Sequence, residues 1–242
     1  AVKEVLAELS GKATGMSKGL GGSMHMFSAE SRFLGGYGIV GGHVAVASGH
    51  AFASKYRRDR GVTLCFVGEG GTNIGGFFEG MTYASLWNLP VIFIIENNLY
   101  AMGTPLYRAQ PTRDLTAKAK AFNMASHRID ALDVELVYDT VNKAVVHARS
   151  GQGPTLIEMI TYRFRGHSMS DPAKYRPAGE LEEMKEKDPL DTTKQRLIDQ
   201  GVSQAQMDEL EQRIATTVED AVQFAEASPE LSYEEMQKMV FA

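Results

Sequence analysis

The chain has 242 residues, 43% of them apolar, and carries 25 basic against 30 acidic side chains for a net charge of −5. That is enough apolar material for a sizeable core in one large or two small domains, and it lacks the basic stripe that a nucleic-acid partner would require. The longest apolar stretches, such as Val91 to Ile95, fall far short of a bilayer span, so no membrane partner is expected.

Ala1 to Leu9 read as the tail of a helix with neither an initiator methionine nor a leader, so the chain is expected to begin mid-domain. Residues 11 to 42 are loop-like and glycine-rich, with Gly19, Gly21, Gly22, Gly35, Gly36, Gly38, Gly41 and Gly42 among Lys18, His25 and Ser28. Composition leaves two readings open, a flexible surface connection or a segment whose backbone approaches a ligand closely. His25, between two methionines, reads as a packed or pocket-lining side chain with no catalytic role. Small and apolar residues recur at helical spacing from His43 to Arg57, and the run 62–67 is a buried strand holding the single cysteine, Cys65, as a core residue of a reducing compartment.

Ile74 to Trp87 returns to helical periodicity, Leu89-Pro90 stops it, and Val91 to Ile95 is a second buried strand. A third helix is expected over Asp114 to Ala125, a short strand near Ser126 to Ile129, a helix over Val134 to Arg149 and a strand over Thr155 to Tyr162. Arg163 to Arg176 is a polar loop, and from Gly179 onward the pattern is acidic and helical, broken at Asp188-Pro189 and Gln200-Gly201. Strands alternating with helices give an α/β fold with a mainly parallel sheet covered by helices and a helical C-terminal tail. The expected division is an α/β domain over 1–178, with 179–242 as a helical region packed on it.

Ligands of open parallel sheets bind beyond the carboxyl ends of the strands. Two such ends are polar here: Gly68-Glu69-Gly70-Gly71-Thr72-Asn73 and Glu96-Asn97-Asn98-Leu99-Tyr100. A helix between them would make the strands parallel neighbours and bring the ends together. Mg²⁺ takes hard oxygen ligands and commonly keeps phosphate oxygens among them. The Glu69 carboxylate, the Asn98 side-chain carbonyl and the Tyr100 backbone carbonyl could supply three, with the amides of Gly70 and Gly71 facing a diphosphate. Taken singly, Glu69 reads as a first-turn helix acid and Asn97-Asn98 as a turn.

Gly-acid-Gly followed by Asn-Asn at this spacing resembles the thiamin-diphosphate-binding motif. The surrounding text, Phe77-Phe78-Glu79, Ala84 to Pro90, Met102-Gly103-Thr104, Gly19 to Phe27 and Thr161 to Pro172, is similar to alpha subunits of thiamin-diphosphate-dependent 2-oxo acid dehydrogenases, pyruvate-type above all. The resemblance runs from about Gly11 to the C-terminus. It implies a thiamin-diphosphate-binding fold in which Glu69, Asn98 and Tyr100 hold Mg²⁺ and Gly70 and Gly71 touch the diphosphate. Gly38 and Val40 would meet the aminopyrimidine through backbone atoms. His167 would contact the diphosphate from the active-site loop as the catalytic residue of this chain, beside Arg163, which helps order that loop. Ser168 matches a serine that is phosphorylated in mitochondrial relatives, where added negative charge beside the diphosphate would disorder the loop.

The implied activity is oxidative decarboxylation of a 2-oxo acid, pyruvate first, with acyl transfer to lipoyl groups of a multienzyme complex. The implied partners are a beta subunit, which supplies the glutamate that protonates the cofactor, a lipoyl-bearing acyltransferase, and a second copy of each chain in a heterotetramer. A preceding segment of the family, carrying a Tyr-Arg pair, adds cofactor and substrate contacts. The implied location is a bacterial-type cytoplasm or a mitochondrial matrix. Three departures stand out: Glu69 where the pyruvate-type motif has aspartate and branched-chain relatives have glutamate, Arg165 for a histidine, and Ala131 for a turn glycine. The rivals are an acetoin or branched-chain 2-oxo acid dehydrogenase alpha subunit and a non-catalytic alpha-like subunit. A flavodoxin-like or Rossmann nucleotide binder is disfavoured, because no Gly-x-Gly-x-x-Gly follows the first strand.

Overall fold

The computed structural model describes residues 1–240. Contacts group the chain into two compact units, one of Ala1–Gly38 with the segment from Leu197 onward, the other of Ile39–Arg196.

The second unit is an α/β layer structure. After helix α2 (Gly42–Arg57) come strand β1 (Thr63–Gly68), a 3-10 turn (Glu69–Asn73), helix α3 (Gly75–Leu86) and strand β2 (Val91–Asn97). Strand β5 (Ala125–Asp130), helix α6 (Val134–Arg149) and strand β6 (Thr155–Ile160) complete a four-stranded, wholly parallel sheet in the order β1-β2-β6-β5. Both faces are covered, which is why the central strands are continuous apolar runs rather than alternating ones. Val67, Phe93, Ile95 and Leu156 face α2 and α3 with Val44, Ala51, Phe77 and Met81, while Ile92, Ile94, Ile157 and Met159 face Ala144 of α6. Cys65 is buried in the first layer, and burial pushes its thiol up to about 12. Helix α6 begins where expected because the Asp133 side chain accepts the N–H groups of Glu135 and Leu136.

The helix expected over Asp114 to Ala125 is the main correction to the element assignment, since only the single turn α5 (Ala117–Lys120) is helical. The Asp114 carboxylate accepts the Thr116 N–H at 3.0 Å in a local turn, and Asn123 takes a left-handed φ of 53° that ends any helix before β5. A two-residue hairpin, β3 (Tyr100–Ala101) with β4 (Thr104–Pro105), and the turn α4 (Leu106–Ala109) were not legible as elements. Further on lie helices α7 (Glu180–Lys185) and α8 (Pro189–Asp199).

In the first unit, helix α1 (Val2–Leu9) packs on the long helix α9 (Gln204–Ala227), and α10 (Tyr233–Val240) follows. Ala7, Ala221 and Ala225 are buried there, and the Thr14 hydroxyl donates to Ser228 Oγ at 2.6 Å. The glycine-rich stretch after α1 is organised by one side chain: the Glu8 carboxylate, fully buried, accepts the backbone N–H groups of Ser17, Gly19, Gly21 and Gly22 at 2.7 to 3.1 Å. Among the described residues, no helix is long and apolar enough to cross a membrane.

Candidate functional site

Three neighbouring strands release their polar ends on one edge of the sheet. β1 and β2 run in register to the pair Gly68 and Glu96, and β2 and β6 to the pair Asn97 and Ile160. The segments that follow, starting at Glu69, Asn98 and Thr161, therefore emerge side by side at the carboxyl edge where such sheets bind ligands.

Glu69 is buried, 2% exposed, and its Oε2 accepts the Asn98 backbone N–H at 3.3 Å. Burial raises its carboxyl above the ordinary glutamate value; that N–H and the charge of Arg163 pull the other way without cancelling it. The Asn98 Oδ1 accepts the Tyr100 N–H at a long 3.3 Å and keeps a second lone pair. Tyr100 pairs with Pro105 beside the hydrogen-bonded pair Leu99 and Leu106, whose N–H meets the Leu99 carbonyl at 2.9 Å, so the Tyr100 carbonyl points away from its strand partner. A desolvated carboxyl, an amide oxygen and a backbone carbonyl with no donor from its strand partner are the hard oxygens a divalent cation takes, so these residues fit Mg²⁺. Among the described residues no group of three or more His, Cys, Asp or Glu side chains could hold a metal, and a site with one carboxylate would not be such a group.

The turn carrying Glu69 is tied down from one side by Gln110, a buried residue that the sequence reading passed over. Its Nε2 donates to the Glu69 carbonyl and to the Thr72 hydroxyl, both at 3.0 Å, and its Oε1 is buried without a partner. The small size of Gly70 and Gly71 is set by packing: a Cβ on Gly70 would lie 2.6 Å from the Ala101 Cβ, and one on Gly71 2.8 Å from Val67 Cγ2 and 3.3 Å from Val40 Cγ1. Val40 is thus close to the turn, although largely exposed. Gly38 ends the first unit, where a Cβ would meet the His25 ring at 3.2 Å. His25 is exposed rather than packed in a core.

Residues 163–179 form an ordered loop held against the Tyr100 hairpin. Arg163 donates to the Met102 carbonyl at 2.7 Å and to the Tyr175 hydroxyl at 3.2 Å, and lies 3.3 Å from His167 Nδ1. Asp171 accepts the His167 N–H at 2.7 Å, the Ala173 N–H and the Tyr175 hydroxyl at 2.8 Å, and the first two of these hold its carboxyl below the usual range. Arg176 donates to the carbonyls of Arg163, Phe164 and Arg165 and stacks 5.0 Å over the Tyr162 ring. Glu180 closes the far end, accepting from the Tyr100 hydroxyl at 2.8 Å and the Tyr162 hydroxyl at 2.9 Å. Burial, and next the Glu180 carboxylate, push both phenols up, Tyr162 to about 12. Arg176 and Glu180 were not singled out from sequence, because their partners are distant in the chain, and neither was Tyr175, which joins the nearby Asp171 to the more distant Arg163. The His167 and Ser168 side chains are exposed on this loop.

A parallel, doubly covered sheet whose adjacent strand ends gather a buried acid, an Asn amide and a clamped polar loop defines an α/β protein with a strand-end site suited to a cation. The chain belongs to the dehydrogenase E1 component family, whose model matches residues 1–234. It is 45% identical over 234 residues to a pyruvate dehydrogenase E1 component subunit alpha of Rhizobium meliloti, covering 96% of this chain and 67% of the relative. It is 47% identical over 235 residues to the subunit of that name from Zymomonas mobilis, covering 97% and 66%. Identity is 43% over 247 residues to the chloroplastic pyruvate dehydrogenase E1 component subunit alpha-3 of Arabidopsis thaliana, covering 99% and 58%. The chain therefore spans from somewhat over half to about two thirds of the length of these relatives.

Proposed function

We propose that this chain carries the cofactor-holding part of an E1 alpha subunit that decarboxylates a 2-oxo acid, pyruvate first, with thiamin diphosphate and Mg²⁺. The observation that carries the reading is the approach of Asn98 to Glu69 across two in-register strand ends. Glu69, Asn98 and the Tyr100 carbonyl would hold the cation, and the backbone of Gly70 and Gly71 would face the diphosphate. Val40 and Gly38 would meet the aminopyrimidine through main-chain atoms. His167, presented by the loop that Arg163 and Asp171 brace, would contact the diphosphate. When bound, the cofactor supplies the carbanion-stabilising chemistry, and the protein supplies position and electrostatics.

No acid of this chain is assigned to protonate the cofactor; that role goes to a beta subunit, so the working site lies between subunits of a heterotetramer. Acyl transfer to a lipoyl-bearing partner, and a location in a reducing compartment such as a bacterial cytoplasm, belong to the same proposal. Identity to relatives named for pyruvate puts that substrate first. Glu69 in place of aspartate is the one feature that favours a branched-chain 2-oxo acid instead.

The test is calorimetry of thiamin diphosphate with the cognate beta subunit present, with and without Mg²⁺, followed by turnover on pyruvate, branched-chain 2-oxo acids and acetoin. Mg²⁺-dependent binding with preferential pyruvate turnover supports the reading. Binding without turnover on any of these substrates points to a non-catalytic alpha-like subunit, and no binding at all overturns the site.

A further inference from the structure

Glu158 is an acid that none of the chemistry above uses. It stands in the middle of β6, fully buried in an otherwise apolar strand, where an unpaired carboxylate would be costly. Three donors from three separate segments meet it. Its Oε1 accepts from Asn97 Nδ2 at 2.7 Å, and its Oε2 accepts from the Leu115 N–H at 2.9 Å and from Arg128 Nε at 3.1 Å. Arg128, half-exposed on the edge strand β5, brings the compensating charge.

The polarity of this network reaches the cation site. A carboxylate only accepts hydrogen bonds, so Asn97 must turn its NH₂ toward Glu158. That choice commits the Asn97 Oδ1 to the other side, where it accepts the Leu99 N–H at 3.0 Å. Leu99 has a φ of 72°, a left-handed conformation that leucine adopts at a cost and that this side-chain-to-backbone bond holds in place. The turn so fixed carries Asn98 on one side of Leu99 and Tyr100 on the other.

We propose that Glu158 is a positioning residue: by dictating which way the Asn97 amide faces, it sets the 97–100 turn and thereby aims the Asn98 side chain and the Tyr100 carbonyl. The inference rests on the reading that Mg²⁺ and thiamin diphosphate bind there, and it makes an isosteric swap informative. In Glu158→Gln, the Gln carbonyl can still accept from Leu115 and Arg128, but its NH₂ then faces the NH₂ of Asn97. If Asn97 flips to relieve that clash, it presents a donor to the Leu99 N–H and the turn loses its bond. In Asn97→Asp, two carboxylates face each other. The double variant restores one donor and one acceptor at the same place without changing net charge, and the carboxylate introduced by Asn97→Asp keeps an oxygen for the Leu99 N–H.

The full chain with its cognate beta subunit would be titrated with thiamin diphosphate at saturating Mg²⁺. Each single variant should bind about tenfold more weakly or worse, about 1.4 kcal/mol, and the double variant should return to within about threefold of the unsubstituted protein. A Glu158→Gln protein that melts lower but binds equally well, or a double variant no better than the singles, overturns the proposal. If the unsubstituted complex binds no thiamin diphosphate, the functional reading falls, and hydrogen exchange of the Leu99 amide in the cofactor-free chain decides the positioning claim. Faster exchange in the singles and recovery in the double upholds it; equal exchange in all four proteins overturns it.

Discussion

Asn98 donates its backbone N–H to the Glu69 carboxylate across 3.3 Å, although the two residues stand 29 positions apart in the chain. The contact exists because β1 and β2 are parallel neighbours that stay in register to their last residues. It uses only the Asn98 main chain, so Asn98→Ala leaves it intact and removes the side-chain amide, with the oxygen proposed to meet the cation. The cofactor-free protein should lose about 1 kcal/mol, the worth of the bond from the Tyr100 N–H. Mg²⁺-dependent thiamin diphosphate affinity should fall at least about tenfold by calorimetry. Undiminished affinity would remove Asn98 from the cation site.

Gly70 and Ala101 offer a test of packing at the same place. A Cβ on Gly70 would come within 2.6 Å of the Ala101 Cβ, far inside van der Waals contact, but 3.6 Å from the Ala101 Cα. Gly70→Ala should therefore push the Tyr100 hairpin away from the Glu69 turn, costing about 1–3 kcal/mol in stability and weakening the cofactor. Ala101→Gly in the same chain makes the room and should recover most of both. Failure of the second change to restore affinity would mean that Gly70 matters through its own backbone, as a diphosphate contact would require.

Much of this arrangement is legible in the sequence, and the parts that are not share a cause. The apolar runs of β2 and β6 read as buried strands because both faces of the sheet are covered there, whereas β1, read the same way, buries only one face and leaves Leu64 and Phe66 exposed; the helix between β1 and β2 makes their two ends neighbours. The helix expected from Asp114 to Ala125 failed because Asp114 and Asn123 each commit local side-chain or left-handed geometry to a turn, which outweighs the helical preference of the alanines and lysines between them. Glu158 escaped notice because one acid within Thr-Leu-Ile-Glu-Met-Ile looks like a solvent-facing position until Arg128 and Asn97 are seen around it. Gln110 and Glu180 likewise act only through partners many residues away.

Glu180 fastens the end of the 163–179 loop to Tyr100 and Tyr162. Glu180→Ala takes both acceptors away, leaving the hydroxyls of two buried tyrosines without them. The loop should then open more often, and brief trypsin treatment should cut after Arg163 and Arg165 several-fold faster than in the unsubstituted chain, since cleavage of this kind tracks local opening. Because Tyr100 belongs to the proposed cation site, added thiamin diphosphate and Mg²⁺ should slow cleavage in the variant. Equal cleavage rates in the two proteins would show that Arg163 and Tyr175 hold the loop without Glu180.

Glu8 governs the glycine-rich stretch in a way that depends on pH. Burial favours its protonated form, but four backbone N–H donors favour the carboxylate more, so it ionises below the ordinary glutamate value of 4.5. A native pKa below the unfolded one stabilises the folded loop at pH values above the unfolded value. That contribution is lost as the pH falls through 4.5 toward the lower native value. Glu8→Gln removes it at every pH and turns an NH₂ group toward backbone donors that then lack an acceptor, at a cost of about 1–3 kcal/mol. Hydrogen exchange of the Ser17, Gly19, Gly21 and Gly22 amides should be much faster in the variant at neutral pH. The gap between the two proteins should narrow as the pH falls below 4.5. A gap of constant size across that range would mean that the loop keeps its shape without the Glu8 charge.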